Sequence, residues 1–566
     1  MDLRLPQERP TAGEREAVDG VLGAEPAAEG RAVHQEREQR DLLLPILHAL
    51  QSRVGWISPG GLGYACRRLD VPPAEAFGVA SFYALLSVVP QPPAMAHVCD
   101  DVACRLAGAE TLFAGGEDIA VHRSPCLGQC ERGPAVLVLR AGEKPHASVV
   151  TRATKEAIQA RLAGGEAPAE TLASVRASVP QAGSPGLRLL KRVGAVEPLD
   201  HAAWVKAGGL EGLKRARALG PLKIVAEVTA AKLLGRGGAA FPTGRKWEAV
   251  AANPAPRYLV CNADESEPGT FKDRILLEWD SFSVLEGMAI AGLAAGCAKG
   301  YLYLRGEYPL AAERISAAIA TARAEGWLGQ GFDVELRRGA GAYICGEETA
   351  LFNSIEGKRG EPRNKPPFPT QSGLFGRPTL LNNVETLANV PLILAGGWTE
   401  SKLYCVSGRV ARPGLYEHPF GTTLRQALEA AGGVAGGRPL QAVLLGGAAG
   451  SFVGPSALDA PLTFEGLRAI GASLGSGVVL VLDDRADLRD LLTRIAAFFR
   501  DESCGQCVPC RVGTVRQEEA LARGGAADGA LLADLAQVMR DASICGLGQT
   551  ASSAVLSGLR LMEAAR

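Results

Sequence analysis

The sequence has few histidines, the residue most often used as a general acid or base. It contains 7 histidines in 566 residues, and no Ser, His and Asp set stands out as a catalytic triad. Its formal net charge is −1, so nothing calls for a nucleic acid or an anionic membrane as partner. These absences favour chemistry supplied by something other than a protein nucleophile.

Long apolar segments are lacking too. The most apolar stretch, residues 282–300, is interrupted by Glu286 and rich in Gly and Ala, which predicts a buried helix and not a membrane span. The N-terminus shows no apolar core of a secretory signal, so we expect a cytoplasmic protein. Thiols stay reduced there, and 13 cysteines cannot form a fully paired disulfide framework. Clustered cysteines then indicate metal.

The chain is too long for a single hydrophobic core and predicts an α/β multidomain protein. Its hydrophobic pattern changes several times, from helical spacing to short β runs and back. The predicted segments are a mobile arm (1–36), a helical segment (37–93), a small α/β domain (94–166), a linker (167–186), a larger α/β domain (187–396), a ubiquitin-like β-grasp module (397–484) and a four-helix bundle (485–566).

The strongest single signal is a set of four cysteines near the C-terminus. Cys504, Cys507 and Cys510 are separated by two residues each, and Cys545 follows from the far side of a predicted helical hairpin. Three close thiolates and one distant thiolate can surround a [4Fe–4S] cubane. A structural zinc site is the alternative, but zinc sites usually use cysteine pairs. We favour the cluster.

A second set lies in the small α/β domain, where Cys99 and Cys104 form one pair and Cys126 and Cys130 another. Each pair follows a predicted β run. Two such pairs can hold a [2Fe–2S] cluster, with zinc a more serious rival here than at the first set. The other cysteines have no partner at ligand spacing and are predicted to be small buried side chains: Cys66, Cys261, Cys297, Cys345 and Cys405.

Glycine-rich loops suggest a ligand site in the larger α/β domain. In residues 235–247, Gly235, Gly237, Gly238 and Gly244 would let main-chain N–H groups approach a flat or anionic ligand. The loop does not match the dinucleotide pattern Gly-x-Gly-x-x-Gly, because Ala240 stands at the third position. A plain turn is the alternative.

The neighbouring polar residues strengthen this prediction. Asn262, Asp264, Glu265 and Glu267 follow a predicted strand directly, and ligands of α/β folds bind at that end of a strand. A third loop, residues 339–360, precedes a proline-rich turn in which Phe368 could stack on a planar ring. Glu347 and Glu348 open a predicted helix there, with helix capping as the simpler interpretation.

Taken together, these motifs resemble the flavin subunit of the NADH-oxidising module shared by respiratory complex I, NAD-reducing hydrogenases and NAD-dependent formate dehydrogenases. The resemblance covers about residues 190–566, and residues 37–165 resemble the thioredoxin-like [2Fe–2S] subunit of the same module, fused in front. The motifs that carry it occur in the family's order: GRGG, FPTGRKW, NADESEPGTFKDR, GAYICGEETAL, KPPFP, LLNNVETL and ESCGQCVPCRVGT.

The resemblance implies a Rossmann-like FMN domain, a thioredoxin-like domain and the cofactors FMN, NAD(H), [4Fe–4S] and [2Fe–2S]. FMN itself is then the reactive group, and no protein residue is catalytic. The implied FMN-binding residues are Gly235, Arg236, Gly237, Gly238, Lys246, Asn262, Asp264, Gly346, Asn382 and Asn383. The implied NAD-binding residues are Phe241, Glu347, Glu348, Lys365 and Phe368.

Two positions depart from the family pattern. Ala240 stands where the family usually has Gly, and its methyl group would press on the loop. Ala249 stands where an aromatic residue is often found, which puts one wall of the adenine pocket in doubt and predicts weaker affinity for NAD.

The wider enzyme is predicted from the residues around Cys545, since RDESCGQCVPCRVGT and MRDASICGLGQ look most like formate dehydrogenase β subunits. The partner would be a catalytic α subunit that oxidises formate at molybdenum or tungsten and carries further iron–sulfur clusters. A hydrogenase diaphorase subunit and a fused subunit of complex I are the alternatives. A zinc-stabilised scaffold is the alternative that is not an enzyme.

Overall fold

The computed structural model describes residues 8–23, 39–113, 120–166, 168, 170–524 and 528–564. Within these ranges no helix is both long enough and apolar enough to cross a lipid bilayer.

The N-terminal segment contains a helix where the sequence predicts a mobile arm. Thr11 caps the helix Ala12–Leu22 and forms a reciprocal capping box with Glu14. Val18 on this helix is fully buried, and the helix packs against the helix Leu43–Val54. The predicted arm is therefore wrong for these residues, because a cap and a buried side chain anchor them. Residues 1–7 and 24–36 of the predicted arm lie outside the described residues.

A helical segment follows, as predicted. Its elements are the 3₁₀ turn Arg40–Leu42 and the helices Leu43–Val54, Pro59–Leu69 and Pro73–Ala80. Proline stands in the first turn of the last two helices, where its missing N–H has no helical partner to lose. Their apolar faces enter the main hydrophobic core of the protein.

The small α/β domain is built on a four-stranded sheet. Its strands are β1 (Ala94–Cys99), β2 (Val121–Ser124), β3 (Ala135–Arg140) and β4 (His146–Thr151), in the order β2-β1-β3-β4. β1 and β2 are parallel and the other neighbours are antiparallel. The helices are Val102–Leu106 and Lys155–Leu162, with 3₁₀ turns at Ala109–Leu112 and Cys130–Arg132.

The larger α/β domain has a sheet of four parallel strands. These are β5 (Tyr258–Ala263), β6 (Lys299–Leu304), β7 (Asp333–Arg338) and β8 (Thr379–Asn383), in the order β7-β6-β5-β8. Its helices are His201–Lys206, Glu211–Leu219, Pro221–Ala230, Thr243–Ala251, Lys272–Trp279, Ser281–Ala295, Pro309–Ala324, Glu348–Ile355 and Val384–Ala395, with 3₁₀ turns at Tyr343–Gly346 and Leu374–Gly376. The 3₁₀ turn Ser174–Ala177 lies in the preceding linker. Ser281–Ala295 is buried almost throughout, which confirms the helix predicted in the most apolar stretch.

The β-grasp module has a mixed five-stranded sheet and a core of its own. Its strands are β9 (Ser401–Gly408), β10 (Gly414–Pro419), β11 (Leu440–Leu445), β12 (Ser451–Val453) and β13 (Val478–Asp483), in the order β10-β9-β13-β11-β12. β9 and β13 are parallel, as the first and last long strands of a β-grasp are. The helices are Leu424–Ala430 and Phe464–Ala469, with 3₁₀ turns at Ala435–Gly437 and Pro455–Ala457.

The C-terminal part is helical, as predicted, and its described residues, 485–524 and 528–564, form one short helix more than the expected four. The long helices are Leu488–Asp501, Val508–Arg523, Asp528–Ala542 and Ser553–Ala564. The added helix, Gly546–Thr550, follows Cys545 directly.

The predicted linker is packed against its neighbours. Val175 and Val179 are buried, and the Ser178 carbonyl accepts a hydrogen bond of 2.7 Å from the Leu415 N–H of β10. One continuous apolar core joins the N-terminal helices, the larger α/β domain and the C-terminal helices. The domains are therefore held in fixed positions around the larger α/β domain.

Candidate flavin and iron–sulfur sites

Four of the residues predicted to bind flavin meet at the carboxyl edge of the parallel sheet. Asn262 near the end of β5 is in register with Asn383 at the end of β8, and Cys261 with Asn382. The Asn262 side-chain amide donates to the Gly346 carbonyl at 2.9 Å. Parallel strands end together, so polar residues far apart in sequence share one edge.

The Asp264 carboxyl lies next to Gly346 in this edge. A Cβ on Gly346 would come within 3.7 Å of Asp264 Oδ2, which places the turn at Gly346 directly beside the carboxyl. That oxygen is buried and has no hydrogen-bond partner among the described residues. Burial raises the pKa of Asp264 well above its usual range, which the Arg305 guanidinium opposes. A buried polar oxygen without a hydrogen-bond partner suits a ligand hydroxyl, so the residues present fit the sugar-like chain of FMN.

The glycine-rich loop packs over the same edge. A Cβ on Gly237 would come within 3.2 Å of the Asn383 side chain. Any residue other than glycine would therefore have to push the Asn383 side chain aside. Gly238 has φ +120° and lies near Gly475 of the β-grasp module. Ala240 has φ +53°, a left-handed conformation that costs a side-chain-bearing residue about 1–2 kcal/mol. The departure predicted to press on the loop is therefore visible as backbone strain.

Lys246 and its neighbour Trp247 tie the loop to β8. The Lys246 ammonium donates to the Leu381 carbonyl at 3.2 Å, and the Trp247 indole N–H donates to Asn382 Oδ1 at 2.9 Å. Burial lowers the pKa of Lys246, while the nearby Glu348 opposes this and Lys365 reinforces it. The predicted flavin residue Lys246 therefore lies close enough to the predicted NAD residues Glu348 and Lys365 for their charges to change its pKa.

Arg236 differs from the other residues of the loop. Its main-chain N–H donates to Thr386 Oγ1 at 2.8 Å, but its guanidinium is fully buried and pairs with Glu400 at 3.1 Å. The guanidinium also lies over the Phe420 ring. The side chain therefore joins the larger α/β domain to the β-grasp module through Nη2, while its buried Nε and Nη1 have no hydrogen-bond partner among the described residues.

The predicted NAD residues form a charged group with two exposed rings beside it. Glu347 caps the helix Glu348–Ile355 by accepting from the Thr349 and Ala350 N–H groups. The Lys365 ammonium donates to Glu347 at 2.8 Å and to Glu348 at 2.6 Å. The capping interpretation of Glu347 is thus correct, and its second oxygen remains engaged with Lys365.

Phe241 and Phe368 are 51% and 54% exposed, although each is a large apolar ring. The Phe241 ring lies 5.6 Å from the Lys246 ammonium. Ala249, the other family departure, is exposed on the helix Thr243–Ala251 and offers no ring to this region. The exposed aromatic faces suit a stacked planar ligand.

All four C-terminal cysteines line one cavity. Its walls are Cys504, Cys507, Cys510 and Cys545 together with Ile344, Pro362, Ser503, Gln506, Ile544 and Leu547, and it contains about 250 Å³ of space, part of it open to solvent. Cys510 and Cys545 are buried, whereas Cys504 and Cys507 are partly exposed. A cavity surrounded by four thiols and otherwise mostly apolar fits an iron–sulfur cluster.

Two helix N-termini point at this cavity. Cys507 is the N-cap of the helix Val508–Arg523, and Cys545 is the N-cap of Gly546–Thr550. Burial raises the pKa of the Cys545 thiol to about 12, although the Leu547 and Gly548 N–H groups oppose the rise. Positive helix ends and inorganic iron would both favour the thiolate form that ligation requires.

The four cysteines of the thioredoxin-like domain also meet. Cys99 ends β1, and its thiol interacts with those of Cys104 and Cys126. The Cys126 and Cys130 sulfurs are 3.4 Å apart. All four are buried, and the residues present fit a [2Fe–2S] cluster by the chemistry of their four thiols. The five remaining cysteines, all within the described ranges, are buried and in no disulfide, as predicted for small core side chains.

Several residues at these sites lie in the motifs of the resemblance but were not among the predicted ligands. Lys272 donates to Asn383 Oδ1 at 3.1 Å, and Asp273 accepts from the Asn383 amide at 2.6 Å. Tyr343 donates to Glu267 at 2.6 Å between the flavin edge and the C-terminal helices. Lys272 and Asp273 lie within the motif FKDR, but only the folded chain brings them to Asn383.

The fold and the sites define an iron–sulfur flavoprotein with an NAD-reactive module. Family models agree along the chain: the thioredoxin-like [2Fe-2S] ferredoxin matches residues 30–163, the Nuo51 FMN-binding domain 228–392, the SLBB domain 403–447 and the NADH-ubiquinone oxidoreductase-F iron-sulfur binding region 490–565.

Among known proteins, the NADH-quinone oxidoreductase F subunit of Aquifex aeolicus is 45% identical over 389 residues, which are 64% of this chain and 89% of that protein. The HndC subunit of the NADP-reducing hydrogenase of Solidesulfovibrio fructosivorans is 42% identical over 401 residues, covering 66% of this chain and 81% of that protein. The chain therefore belongs to the family of NADH-quinone oxidoreductase F subunits and their hydrogenase counterparts.

A solved structure extends the likeness to the N-terminal domain. One chain of an NAD⁺-reducing [NiFe]-hydrogenase in the air-oxidized state superimposes with a TM-score of 0.75 and 34% identity, covering 92% of each chain. The fused arrangement of the [2Fe–2S] domain and the flavin domain is thus shared with that protein over nearly its whole length.

Proposed function

We propose that this chain exchanges a hydride between NAD(H) and FMN, and single electrons between FMN and its iron–sulfur clusters. The observation that carries the proposal is the 3₁₀ turn Tyr343–Gly346. Ile344 of this turn lines the cavity of the four C-terminal cysteines, and Gly346 lies at the flavin edge beside Asp264. Two sites one turn apart are close enough for direct electron transfer.

FMN, when bound, supplies the conversion between two-electron and one-electron chemistry. The chain's part is to hold and orient it. Main-chain N–H groups of Gly237 and Gly238 suit the phosphate, whereas the Gly235 N–H donates to the Phe241 carbonyl at 2.9 Å and shapes the loop. Asn262 and Asp264 suit the hydroxyls of the ribityl chain. Lys246 holds a positive charge at the same edge, and Asn382 and Asn383 close it.

NAD(H) would be held by the charged group and the two exposed rings. Phe241 and Phe368 would stack on its planar parts, which excludes water from one face. Glu347, Glu348 and Lys365 would accept from or donate to the ribose and the nicotinamide amide, since the one ammonium shared by two carboxylates leaves acceptor capacity on the carboxylates. Ala249 leaves one side of this region without an aromatic wall.

The chemistry is tested on protein purified without oxygen. We expect releasable FMN, iron and acid-labile sulfide for both clusters, bleaching of the flavin by NADH, and NADH-dependent reduction of an artificial acceptor. Protein that lacks flavin and iron but holds stoichiometric zinc would support the zinc-stabilised scaffold instead. Protein that holds FMN and both clusters but is not bleached by NADH would show a module that has lost NAD reactivity.

We further propose that the electrons come from formate, oxidised on a molybdenum or tungsten α subunit that carries further iron–sulfur clusters. The support is the sequence around Cys545, and the residues beside the cluster cavity allow a partner to dock there. Val508, Val512 and Val515 are exposed at one face of the helix that begins after Cys507. An exposed apolar face next to partly exposed cluster ligands suits an electron-exit contact. We also place the protein in the cytoplasm, which keeps the eight ligand thiols reduced.

A hydrogenase diaphorase is the second candidate, because the fused arrangement matches the NAD⁺-reducing hydrogenase chain over 92% of its length. A fused complex I subunit is the third, supported by the Aquifex relative. Isolating the native complex separates them. Formate-dependent NAD⁺ reduction with molybdenum or tungsten supports the first, hydrogen-dependent reduction with nickel the second, and quinone reduction by NADH the third.

A further inference from the structure

Two buried arginines of the flavin domain hold the loop that carries Cys126 and Cys130. Arg305 directly follows β6, and its Nη2 donates to the Cys126 carbonyl at 2.7 Å. Arg274 lies on the helix Lys272–Trp279, and its Nε donates to the Gly128 carbonyl at 2.8 Å. Both side chains are at most 2% exposed. The contacts cross from one domain to another, so the cluster loop is positioned from outside its own domain.

Arg305 also holds the flavin edge. Its Nη1 donates to the Glu265 carbonyl at 2.6 Å, one residue after Asp264. The Tyr308 ring lies 4.9 Å from the guanidinium, and the Tyr308 hydroxyl donates to Glu265 Oε2 at 3.1 Å. One rigid guanidinium thus bridges the main chain of the flavin site and the main chain of a predicted cluster ligand.

The charge of Arg305 is only partly compensated. Glu307 accepts from its Nη2 at 2.6 Å and is itself buried, but one Glu307 oxygen and the Arg305 Nε have no hydrogen-bond partner in the part of the chain that the structure describes. The guanidinium, not the carboxylate, contacts the Cys126 main chain. In a buried site of low dielectric constant, a positive charge at this distance favours whichever redox state is more negative.

We propose that Arg305 is a positioning residue that fixes the Cys126 main chain against the flavin edge and raises the reduction potential of the [2Fe–2S] cluster. The proposal rests on the proposed occupancy of Cys99, Cys104, Cys126 and Cys130 by that cluster. Glu307 acts in the opposite direction, because its carboxylate lowers the positive potential that Arg305 produces. The balance of this pair sets how readily the cluster takes an electron.

The test is an anaerobic redox titration of the holoprotein, followed by electron paramagnetic resonance of both clusters. Arg305→Met removes the charge and should move the [2Fe–2S] midpoint potential to more negative values. Glu307→Gln leaves the Arg305 charge uncompensated and should move it to more positive values. The [4Fe–4S] potential should shift less than the [2Fe–2S] potential in both variants, because Arg305 contacts the Cys126 main chain directly but acts on the C-terminal cluster site as a neighbouring charge of Glu502.

Arg314 provides a matched control. It is a buried arginine that donates to the Glu278 carbonyl at 2.6 Å and stacks over Trp279, and among the described residues it makes no hydrogen bond to the loop that carries Cys126 and Cys130. Arg314→Met should leave the [2Fe–2S] potential as in the wild type. A shift of the [2Fe–2S] potential in Arg314→Met equal to that in Arg305→Met would mean that the loss of any buried positive charge lowers the potential. That result would overturn the specific role of Arg305.

The opposite signs of the two variants distinguish an electrostatic role from a structural one. An unchanged potential in an iron-loaded Arg305→Met protein, or a negative shift in Glu307→Gln, would overturn the proposal. If Arg305→Met fails to hold iron, the sign of the Glu307→Gln shift alone decides. Wild-type protein with no [2Fe–2S] signal would instead be a failure of the proposed function.

Discussion

Phe368 offers the sharpest test of the proposed NAD site. The ring is 54% exposed in a proline-rich turn, with no other aromatic ring in contact with it among the described residues. Replacing it in the variant Phe368→Ala removes a stacking surface without removing a core side chain. We therefore expect a specific loss of NADH binding and little change in the stability of the fold.

The magnitude follows from the exposed area. An aromatic side chain can bury roughly 150–250 Å², so the exposed part of Phe368 is on the order of 100 Å². A ligand that covers about half of it removes roughly 50 Å² of apolar surface, worth about 1.3 kcal/mol at ~25 cal/mol per Å². Ring stacking adds about 0.5–1.5 kcal/mol. The sum, about 2 kcal/mol, corresponds to a Kd for NADH that is roughly 30-fold higher.

The assay is the NADH concentration dependence of flavin bleaching without oxygen, with FMN content and Tm measured alongside. Phe375→Ala is the matched control. Phe375 is 38% exposed in the same chain segment but contacts Tyr258 and Tyr301 with ring centroids 5.6 and 6.1 Å apart, and Tyr258 begins β5 at the opposite edge of the sheet. It should lose stability and keep NADH affinity. Wild-type affinity in Phe368→Ala would refute the stacking argument.

Three further predictions concern the cluster, the strained loop and a buried acid. Cys507→Ser should remove the [4Fe–4S] resonance signal while NADH still bleaches the flavin; a retained signal would exclude Cys507 as a ligand. Ala240→Gly removes a left-handed strain of about 1–2 kcal/mol and adds about 0.5–1 kcal/mol of chain entropy to the unfolded state, so the free energy of unfolding should rise slightly. The control Ala249→Gly, in a helix, should lower the free energy of unfolding. A lower free energy of unfolding in both variants would contradict the strain at Ala240. Burial raises the pKa of Glu267 to about 7 against hydrogen bonds from Tyr343 and Ala449, so the folded state keeps a proton that the unfolded chain loses above about pH 4.5. The stability that this proton contributes is present at low pH and is lost as the pH rises to 7. Glu267→Gln should reduce the fall of the unfolding free energy with pH by up to about 1.4 kcal/mol per pH unit, and the exposed control Glu465→Gln should not. An unchanged pH dependence in Glu267→Gln would refute the raised pKa of Glu267.

The sequence by itself determined the order of the domains and the identity of the ligand types. Spacing identified the cysteine sets because cluster ligands must repeat at short intervals on a tight loop, and hydrophobic period identified strands and the buried helix Ser281–Ala295. Asn262 was predicted from its place at a strand end, whereas Asn382 and Asn383 were assigned through the family resemblance; they share one edge because parallel strands end together. Family resemblance added the cofactors.

Other features were decided only by the tertiary structure. The docked helix Ala12–Leu22 depends on a surface supplied by the helix Leu43–Val54, which local composition does not reveal. Arg236 has the residue type of an anion ligand, yet its guanidinium turns to Glu400 because the β-grasp module buries it there. Packing between domains places Ile344 at the cavity of the C-terminal cysteines and Gly346 at the flavin edge. It also brings the Arg305 side chain, just after β6, to the Cys126 carbonyl. Contacts between residues over a hundred positions apart leave no periodic trace in a single sequence, and these contacts arrange the electron path.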